Sequence, residues 1–432
     1  MSPPTLSLGL DFGTTNSAIA VATDDGSARL ASFPDGDRLT TTFRSVLYFD
    51  PEDVEPGGRP RAVAGPQAIR RYLEAGMRGR LIQSMKAHLA SRLFKDTYIF
   101  GQRYTLDDLI AIIVRDLRAA AQEQFGAVSS TIVVGRPAHF ASGRGEDDDE
   151  FALGRLRTAI QAAGWEHVVL ELEPVAAAYE YGRRLDHDEL ALIGDFGGGT
   201  SDFCLVRLGP SLRQTRHGYG EILGVDGVGI AGDAFDSRVI RRLVAPELGL
   251  GSRLRSAFGQ VLPVPAWLYE RLEHWEHLSF LKTKKTMNKL QQIRFEAQEP
   301  EKIDALIHLV NDDLGYALYR AVERMKVELS GRETSELVFV DHPIDVRAAV
   351  ARGDFESWIA PYLEAIRICV DRLLERCDIA ASAVDAVFLT GGTSMVPAVR
   401  RLFEHRFGAA RLRGGAELTT VASGLALRAA AG

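Results

Sequence analysis

LGLDFGTTNSAIAV at positions 8–21 and LIGDFGGGTSDFCLV at positions 192–206 have one pattern, and reading them together decides the fold. In each, an apolar run ends in an aspartate, Asp11 or Asp195, followed by Phe-Gly, small or hydroxyl residues and a second apolar run. The apolar runs read as strands and the glycine segment as the turn between them. A single such turn is an ordinary hairpin, because Asp, Gly, Thr and Asn punctuate hairpins everywhere. Two copies roughly half a chain apart point instead to two related α/β lobes. Each brings backbone N–H groups and an acidic residue to a shared cleft, an arrangement suited to a polyphosphate and its magnesium.

Composition sets bounds around this reading. A chain of 432 residues exceeds one hydrophobic core and fits two domains. Hydrophobic residues at 46% and charged residues at 25% are ordinary for a globular protein. A net charge of −7 argues against nucleic acid as the main partner, since phosphate backbones select clustered Lys and Arg. The basic run Lys282, Lys284, Lys285 and Lys289 is local and reads as a solvated helix face. Cys204, Cys369 and Cys377 form no Cys-x-x-Cys pair and read as reduced core residues. Met1-Ser2-Pro3-Pro4 lacks a basic, apolar leader, and no apolar run approaches the ~18 residues of a membrane span, so no membrane role and a cytoplasmic location are expected.

Along the chain, Asp50 to Pro66 is rich in Gly and Pro and reads as a surface loop. A helix is expected from about Pro66 to Leu93, carrying Lys86. LDDLIAIIVRDLRAAAQEQFG (106–126) repeats its apolar residues at helical spacing, and TIVVGRPAHF (131–140) holds a short strand. The acidic run Glu146 to Glu150 reads as a solvated loop or helix start, and its helix ends near Gly164. Strand HVVLEL (167–172), Glu173-Pro174 and helix VAAAYEYGRRL (175–185) lead into the second glycine turn. Strands alternating with helices give an α/β class. Positions 267 to 330 look mostly helical. Ile303, Leu306, Ile307, Val310, Leu314, Ala317, Leu318, Val322, Met325 and Leu329 predict one long amphipathic helix. A last strand, AVDAVFLTGGTSM (383–395), enters a glycine loop and then the helix VPAVRRLFEHRFG (396–408), with Pro397 in its first turn.

Three motifs point elsewhere and carry little weight. Gly227-Val228-Gly229-Ile230-Ala231-Gly232 satisfies the dinucleotide pattern, but no second strand ending in an acid follows at the right distance. Asp11-Phe12-Gly13 and Asp195-Phe196-Gly197 spell the kinase magnesium tripeptide without a His-Arg-Asp catalytic loop or a Val-Ala-Ile-Lys strand. His274 and His277 have i, i+3 spacing but no further ligands, and read as surface histidines.

In order, LGLDFGTTNS (8–17), VVGRPAHF (133–140), LEPVAAAYEYG (172–182), IGDFGGGTSDF (193–203), VERMKVELS (322–330) and LTGGTSMVP (389–397) resemble the ATPase domain of the DnaK-type heat-shock chaperones. These belong to the actin-like ATPase superfamily, and the shorter YegD-type homologues are the most similar kind. The resemblance implies lobe I over 1–187, with a subdomain inserted at about 38–103. It implies lobe II over 188–432, with a mostly helical insertion at about 231–332. It further implies ATP or ADP with Mg2+ as ligands and, as an enzyme, conversion of ATP and water to ADP and phosphate.

Position by position, Gly13, Thr14, Thr15 and Asn16 would form the first phosphate loop, and Gly197, Gly198, Gly199 and Thr200 the second. Asp11 and Asp195 would face magnesium largely through its waters. Lys86 matches the lysine near the transferring phosphate and Glu173 the glutamate beside the metal and water, and the resemblance implies that Asp195 would orient that water as the leading catalytic residue, with Thr200 beside it. Glu323, Lys326 and Ser330, on one helix face by their spacing, match the nucleoside-binding helix, and Gly391, Gly392, Thr393 and Ser394 the loop under the adenine.

Departures from the pattern carry their own expectations. The chain stops at Gly432 without an apolar linker or peptide-binding β-domain, so peptide capture within it is not expected. Beyond Pro137 the family's Asn-Asp-x-x-Arg is replaced by a stretch containing Arg144, which questions the arginine that passes the nucleotide signal between domains. Leu418 falls where the family has an aspartate near the adenine, implying altered purine affinity. The expected function is slow ATP hydrolysis with a chaperone-like output through an unidentified protein partner or co-chaperone. A small-molecule kinase of the same superfamily and an actin-like filament protein are the alternatives.

Overall fold

The computed structural model describes residues 6–431 except 24, 77, 142, 144, 213–219, 256–259, 274–280 and 415–418. Arg144, His274, His277 and Leu418 lie outside the described residues. The chain divides into two compact units, residues 1–232 with 364–432, and residues 233–363.

The first unit contains one topology twice. Its first sheet begins with β1 (Leu6–Phe12), β2 (Asn16–Ala22) and β3 (Ala28–Leu30), an antiparallel meander. Two parallel strands, β4 (Val128–Arg136) and β5 (His167–Leu172), extend it on the β1 side. Parallel neighbours need crossovers, and α1 (Leu106–Phe125) before β4 and α2 (Glu146–Ala162) between β4 and β5 serve in that role, while α3 (Glu173–Gly182) leads from β5 to the second sheet. The second sheet repeats the order with β6 (Glu189–Phe196), β7 (Ser201–Leu208) and β8 (Gly220–Val228) as the antiparallel part. Its parallel part is β9 (Ala386–Thr390) and β10 (Leu412–Gly414); α4 (Arg352–Arg376) precedes β9, α5 (Pro397–Phe407) joins β9 to β10, and α6 (Thr420–Ala430) follows β10. The strand orders β3-β2-β1-β4-β5 and β8-β7-β6-β9-β10 superimpose one on the other.

Alternation along β1 and β2 shows why these segments are strands. Leu8, Leu10, Phe12, Ile19 and Val21 enter a core with Leu109, Ile113, Leu117 of α1 and Leu156, Ile160 of α2. The opposite face carries Ala18, Ala20 and Ala22, which pack on Ala422 and Ala426 of α6. Small residues on both sides let that helix lie close to the sheet. α1 starts with a capping box, in which Thr105 Oγ1 accepts the Asp108 amide and Asp108 accepts the Thr105 amide, and it stops at Gly126, φ 88°. α2 places Glu146, Asp147, Asp148 and Asp149 in its first turn, where the helix dipole favours negative charge, so the acidic run is a helix start.

Three local expectations are corrected. The helix near Pro66 covers Gly65–Glu74 only; Gly76 and Gly79 take positive φ, and the chain returns as strand Arg80–Gln83. Lys86 therefore sits on the short helical turn Met85–His88, not on a long helix. The Asp50–Pro66 stretch is a hairpin rather than a loop, with Val46–Val54 antiparallel to Pro60–Ala64 around Gly57 and Gly58. In the second unit the single long helix is two, Pro300–Asn311 and Gly315–Gly331, broken where Asp313 takes φ 53°. The apolar stripe survives the break because Leu314 stays buried in the turn. Lys282, Lys284, Lys285 and Lys289 are exposed, the last three on helix Lys284–Glu296 and Lys282 just before it.

Candidate functional site

The repeat places two aspartates at matching points, Asp11 near the end of β1 and Asp195 near the end of β6. Beyond them the two turns are only partly covered: Gly13, Thr14, Thr15 and Asn16 are half-buried, Gly197 is exposed, and Gly198, Gly199 and Thr200 are half-buried. Gly13 is sterically required, since a Cβ there would lie 2.0 Å from the Asn16 carbonyl oxygen. Its N–H donates to Ser17 Oγ (3.2 Å), and its carbonyl accepts from Ser45 Oγ (2.7 Å). At the second turn, Gly197 N–H donates to the Thr200 carbonyl (3.0 Å), and its own carbonyl accepts from Thr393 Oγ1 (3.0 Å).

Lys86 and Glu173 meet beside the aspartates. Ser84, at φ 56°, turns the chain out of strand Arg80–Gln83 and into the turn that carries Lys86. Glu173 follows β5 directly and opens α3, with Pro174 in the first helical turn. Lys86 Nζ lies 2.5 Å from Glu173 Oε1, and both side chains are less than a tenth exposed. Burial pulls the Lys86 ammonium down, but Glu173 and Asp11 outweigh it and hold its pKa above the ordinary value.

The carboxyls respond the other way. Burial, then Glu173, raises Asp11 to about 7 against the opposing pull of Lys86. Asp195 is raised well above the ordinary range by burial, then by Glu173, Asp11 and Asp202. Asp202 also reaches about 7 through burial and Glu173, although the Thr200 hydroxyl, the Ala138 amide and Lys86 act against the rise. The Ala138 N–H donates to Asp202 Oδ1 at 2.6 Å. One lysine thus interacts with four carboxyl groups, and the cluster has more acid than cation.

Sequence reasoning missed Asp202, Ser17 and Ser45. Asp202 was within reach: the hairpin register pairs it with Asp195, just as Ala18 pairs with Asp11 in the first copy. The second copy therefore differs from the first by one extra acid at a matched position. Gly227 is explained by the same residue, because a Cβ there would lie 2.7 Å from Asp202 Oδ1. It ends an antiparallel edge strand, so the dinucleotide pattern around it is not a phosphate turn between parallel strands.

The adenine-loop candidates join this assembly. Gly391, φ 84°, lies so close to β6 that a Cβ would be 2.2 Å from the Phe196 carbonyl oxygen. Ser394 Oγ donates to the Gly391 carbonyl (2.6 Å), and Gly392 begins the short helical turn Gly392–Met395. Glu323, Lys326 and Ser330 belong to the second unit, on one half-buried face of helix Gly315–Gly331. There Lys326 Nζ is 2.6 Å from Asp236 Oδ1, Glu323 pairs with Arg320 (2.9 Å), and Ser330 Oγ donates to the Lys326 carbonyl (3.2 Å).

A family model described as "Hsp70 protein" matches residues 7–246 and 291–431, which include both turns, Lys86, Glu173 and the 391–394 loop. The chain belongs to the Hsp70 family. Among curated Hsp70 relatives it is similar to "Heat shock 70 kDa protein 7, chloroplastic" of Arabidopsis thaliana, 24% identical over 416 residues, 91% of this chain and 48% of the relative. The chain thus spans about half the length of that protein. Hsp70 membership carries the actin-like ATPase fold, of which the duplicated sheets are the expression. Among the described residues, no helix is long and apolar enough to cross a membrane.

Proposed function

We propose that this chain binds ATP with magnesium through the turns at Gly13–Asn16 and Gly197–Thr200, and hydrolyses it slowly with water as nucleophile. The observation that carries the reading is the buried Lys86–Glu173 pair among Asp11, Asp195 and Asp202. Three carboxyls raised by burial and by neighbouring carboxylates, Glu173 foremost, form a cluster that gains from a further cation. Among the described residues, no three His, Cys, Asp or Glu side chains are grouped to ligate one ion directly. Asp11 and Asp195 would hold magnesium largely through its own water shell, which this ion sheds reluctantly. Bound there, it would supply charge neutralisation for the phosphate oxygens.

The chain's own residues account for the remaining chemistry. Lys86 offers a fixed positive charge to the oxygens of the transferring phosphoryl group, and Glu173 holds that ammonium in place. Asp195, raised by its surroundings, accepts a hydrogen bond from the attacking water and takes its proton as the phosphorus–oxygen bond forms. The bond to the leaving ADP breaks, and inorganic phosphate departs. Thr200 steadies Asp202 beside this centre. Glu323, Lys326 and Ser330, with Gly391 to Ser394, are the base and sugar contacts that the family resemblance implies. Lobe I over 1–187 and lobe II over 188–432 remain our division of the chain. We assign a chaperone-like output, exercised through a protein partner or co-chaperone.

The test is single-turnover hydrolysis of γ-labelled Mg-ATP with no acceptor. Slow phosphate release is expected from the wild-type chain. Stable binding without release points to a kinase awaiting its acceptor, and no binding removes the nucleotide reading.

A further inference from the structure

Both backbone polar groups of Gly13 close into one hydrogen-bonded circuit. Its N–H meets Ser17 Oγ at 3.2 Å, Ser17 Oγ meets Ser45 Oγ at 2.9 Å, and Ser45 Oγ meets the Gly13 carbonyl at 2.7 Å. An amide can only donate and a carbonyl can only accept, so the direction is fixed. Ser17 accepts from Gly13 and donates to Ser45, which donates back to Gly13. Ser17 and Ser45 are each 1% exposed, so water does not stand ready to replace either hydroxyl.

Three more links fasten the same turn to residues 43–45. Ser45 N–H donates to the Thr15 carbonyl (3.0 Å), while Asn16 and Ser17 pair with Arg44 and Phe43 in an antiparallel bridge. The second turn has an independent version, in which Thr393 captures the Gly197 carbonyl from outside the turn. In both copies the lead glycine's carbonyl is therefore held by a hydroxyl that the turn itself does not supply.

Ser45 is also placed by the element that delivers Lys86. It precedes Val46, which pairs with Gln83 at the end of the strand leading to Ser84 and Lys86. One small inserted sheet thus sets the phosphate turn at one strand and the lysine at the next.

We propose that Ser45 is a positioning residue for the first phosphate turn: by capturing the Gly13 carbonyl it presents the following amides, of Thr14 and Thr15, to a phosphate group. This rests on the nucleotide reading above. A merely structural hydroxyl would affect stability, or affect every ligand alike, whereas a positioning role acts on the phosphates alone.

The experiment is calorimetric titration of the full chain with Mg-ADP and, separately, with adenosine, for wild type, S45A and S45T, with melting curves for each. S45A is expected to weaken Mg-ADP about tenfold, leave adenosine affinity unchanged, and be rescued by S45T. Should S45A not fold, the isosteric pair S45V and S45T gives the same contrast. Equal ADP affinity in S45A and wild type overturns the proposal, as does an equal loss for ADP and adenosine. A wild-type chain that binds no ADP instead sinks the nucleotide reading, and the role of Ser45 falls with it.

Discussion

Lys86 and Glu173, 2.5 Å apart in a buried pair, act in opposite directions on the three aspartates around them. Lys86 lowers Asp11, Asp195 and Asp202, whereas Glu173 raises all three. The two halves of the pair are therefore unequal. Lys86→Met leaves four carboxyl groups without their cation and is expected to cost about 3–5 kcal/mol, the range for breaking a buried ion pair. Glu173→Gln removes one repulsive carboxylate and should cost clearly less. Urea unfolding of the ligand-free variants checks the order. Equal losses would mean that the aspartates do not feel the pair.

Asp195 and Asp202 face each other across the β6–β7 register, and the charge of Asp202 helps to raise Asp195. Asp195→Asn keeps the shape and removes the proposed proton acceptor. Phosphate release should stop while Mg-ADP binding persists, and unchanged turnover would take Asp195 out of the mechanism. Asp202→Asn should raise the melting temperature of the ligand-free chain by relieving repulsion, with some loss of activity, the trade expected where a site stores unfavourable charge.

The same carboxyls set a pH dependence. Asp11 and Asp202 titrate near 7 in the folded chain against an ordinary 3.8, so between about pH 4 and 7 the fold binds more protons than the unfolded chain. Stability contributed by these groups therefore falls as pH rises through that window. A divalent cation favours the ionised carboxylates and offsets the loss. Magnesium should raise the melting temperature more at pH 8 than at pH 6, and its uptake near pH 6.5 should release protons. A magnesium effect independent of pH would place the cation away from Asp11 and Asp202.

How much of this was legible in the sequence depends on whether the determinant is local. The two turns, the strands flanking them and helices α1, α3 and α5 follow from periodicity and caps, and the family pattern named Lys86 and Glu173. Breaks set by a single unusual φ were hidden: Asp313 splits an unbroken apolar stripe, and Gly76 and Gly79 end a helix that the pattern carries on to Leu93. Hydroxyls such as Ser17 and Ser45 were hidden for another reason. Their roles exist only once residues 28 positions apart are brought together, and nothing in a lone serine announces it. Asp202 lies between these cases, since pairing the second hairpin on paper sets it opposite Asp195.

Close packing by glycine gives the last expectation. α6 lies against α3 and β1 in the first unit, and at Gly424 a Cβ would stand 1.8 Å from the Ala176 carbonyl oxygen of α3. At Gly9, on β1, a Cβ would stand 2.2 Å from the Ala426 nitrogen of α6. Backbone is struck in both cases, so neither clash is relieved by rotating a side chain. A mid-helix glycine ordinarily costs helix stability, and at 424 it persists because helix and helix approach that closely. Gly424→Ala is expected to destabilise by about 1–3 kcal/mol or more, as overpacking does. It should also weaken Mg-ADP binding, because α6 supports β1, which ends in the first phosphate turn. Gly154→Ala on α2 is the matching control: nothing lies within 4 Å of its Cβ, and the helix should gain about 0.4–1 kcal/mol. Chemical denaturation of both variants decides it. If Gly424→Ala is as stable as Gly154→Ala, then α6 can shift away from Ala176 and the close approach does not hold α6 to α3.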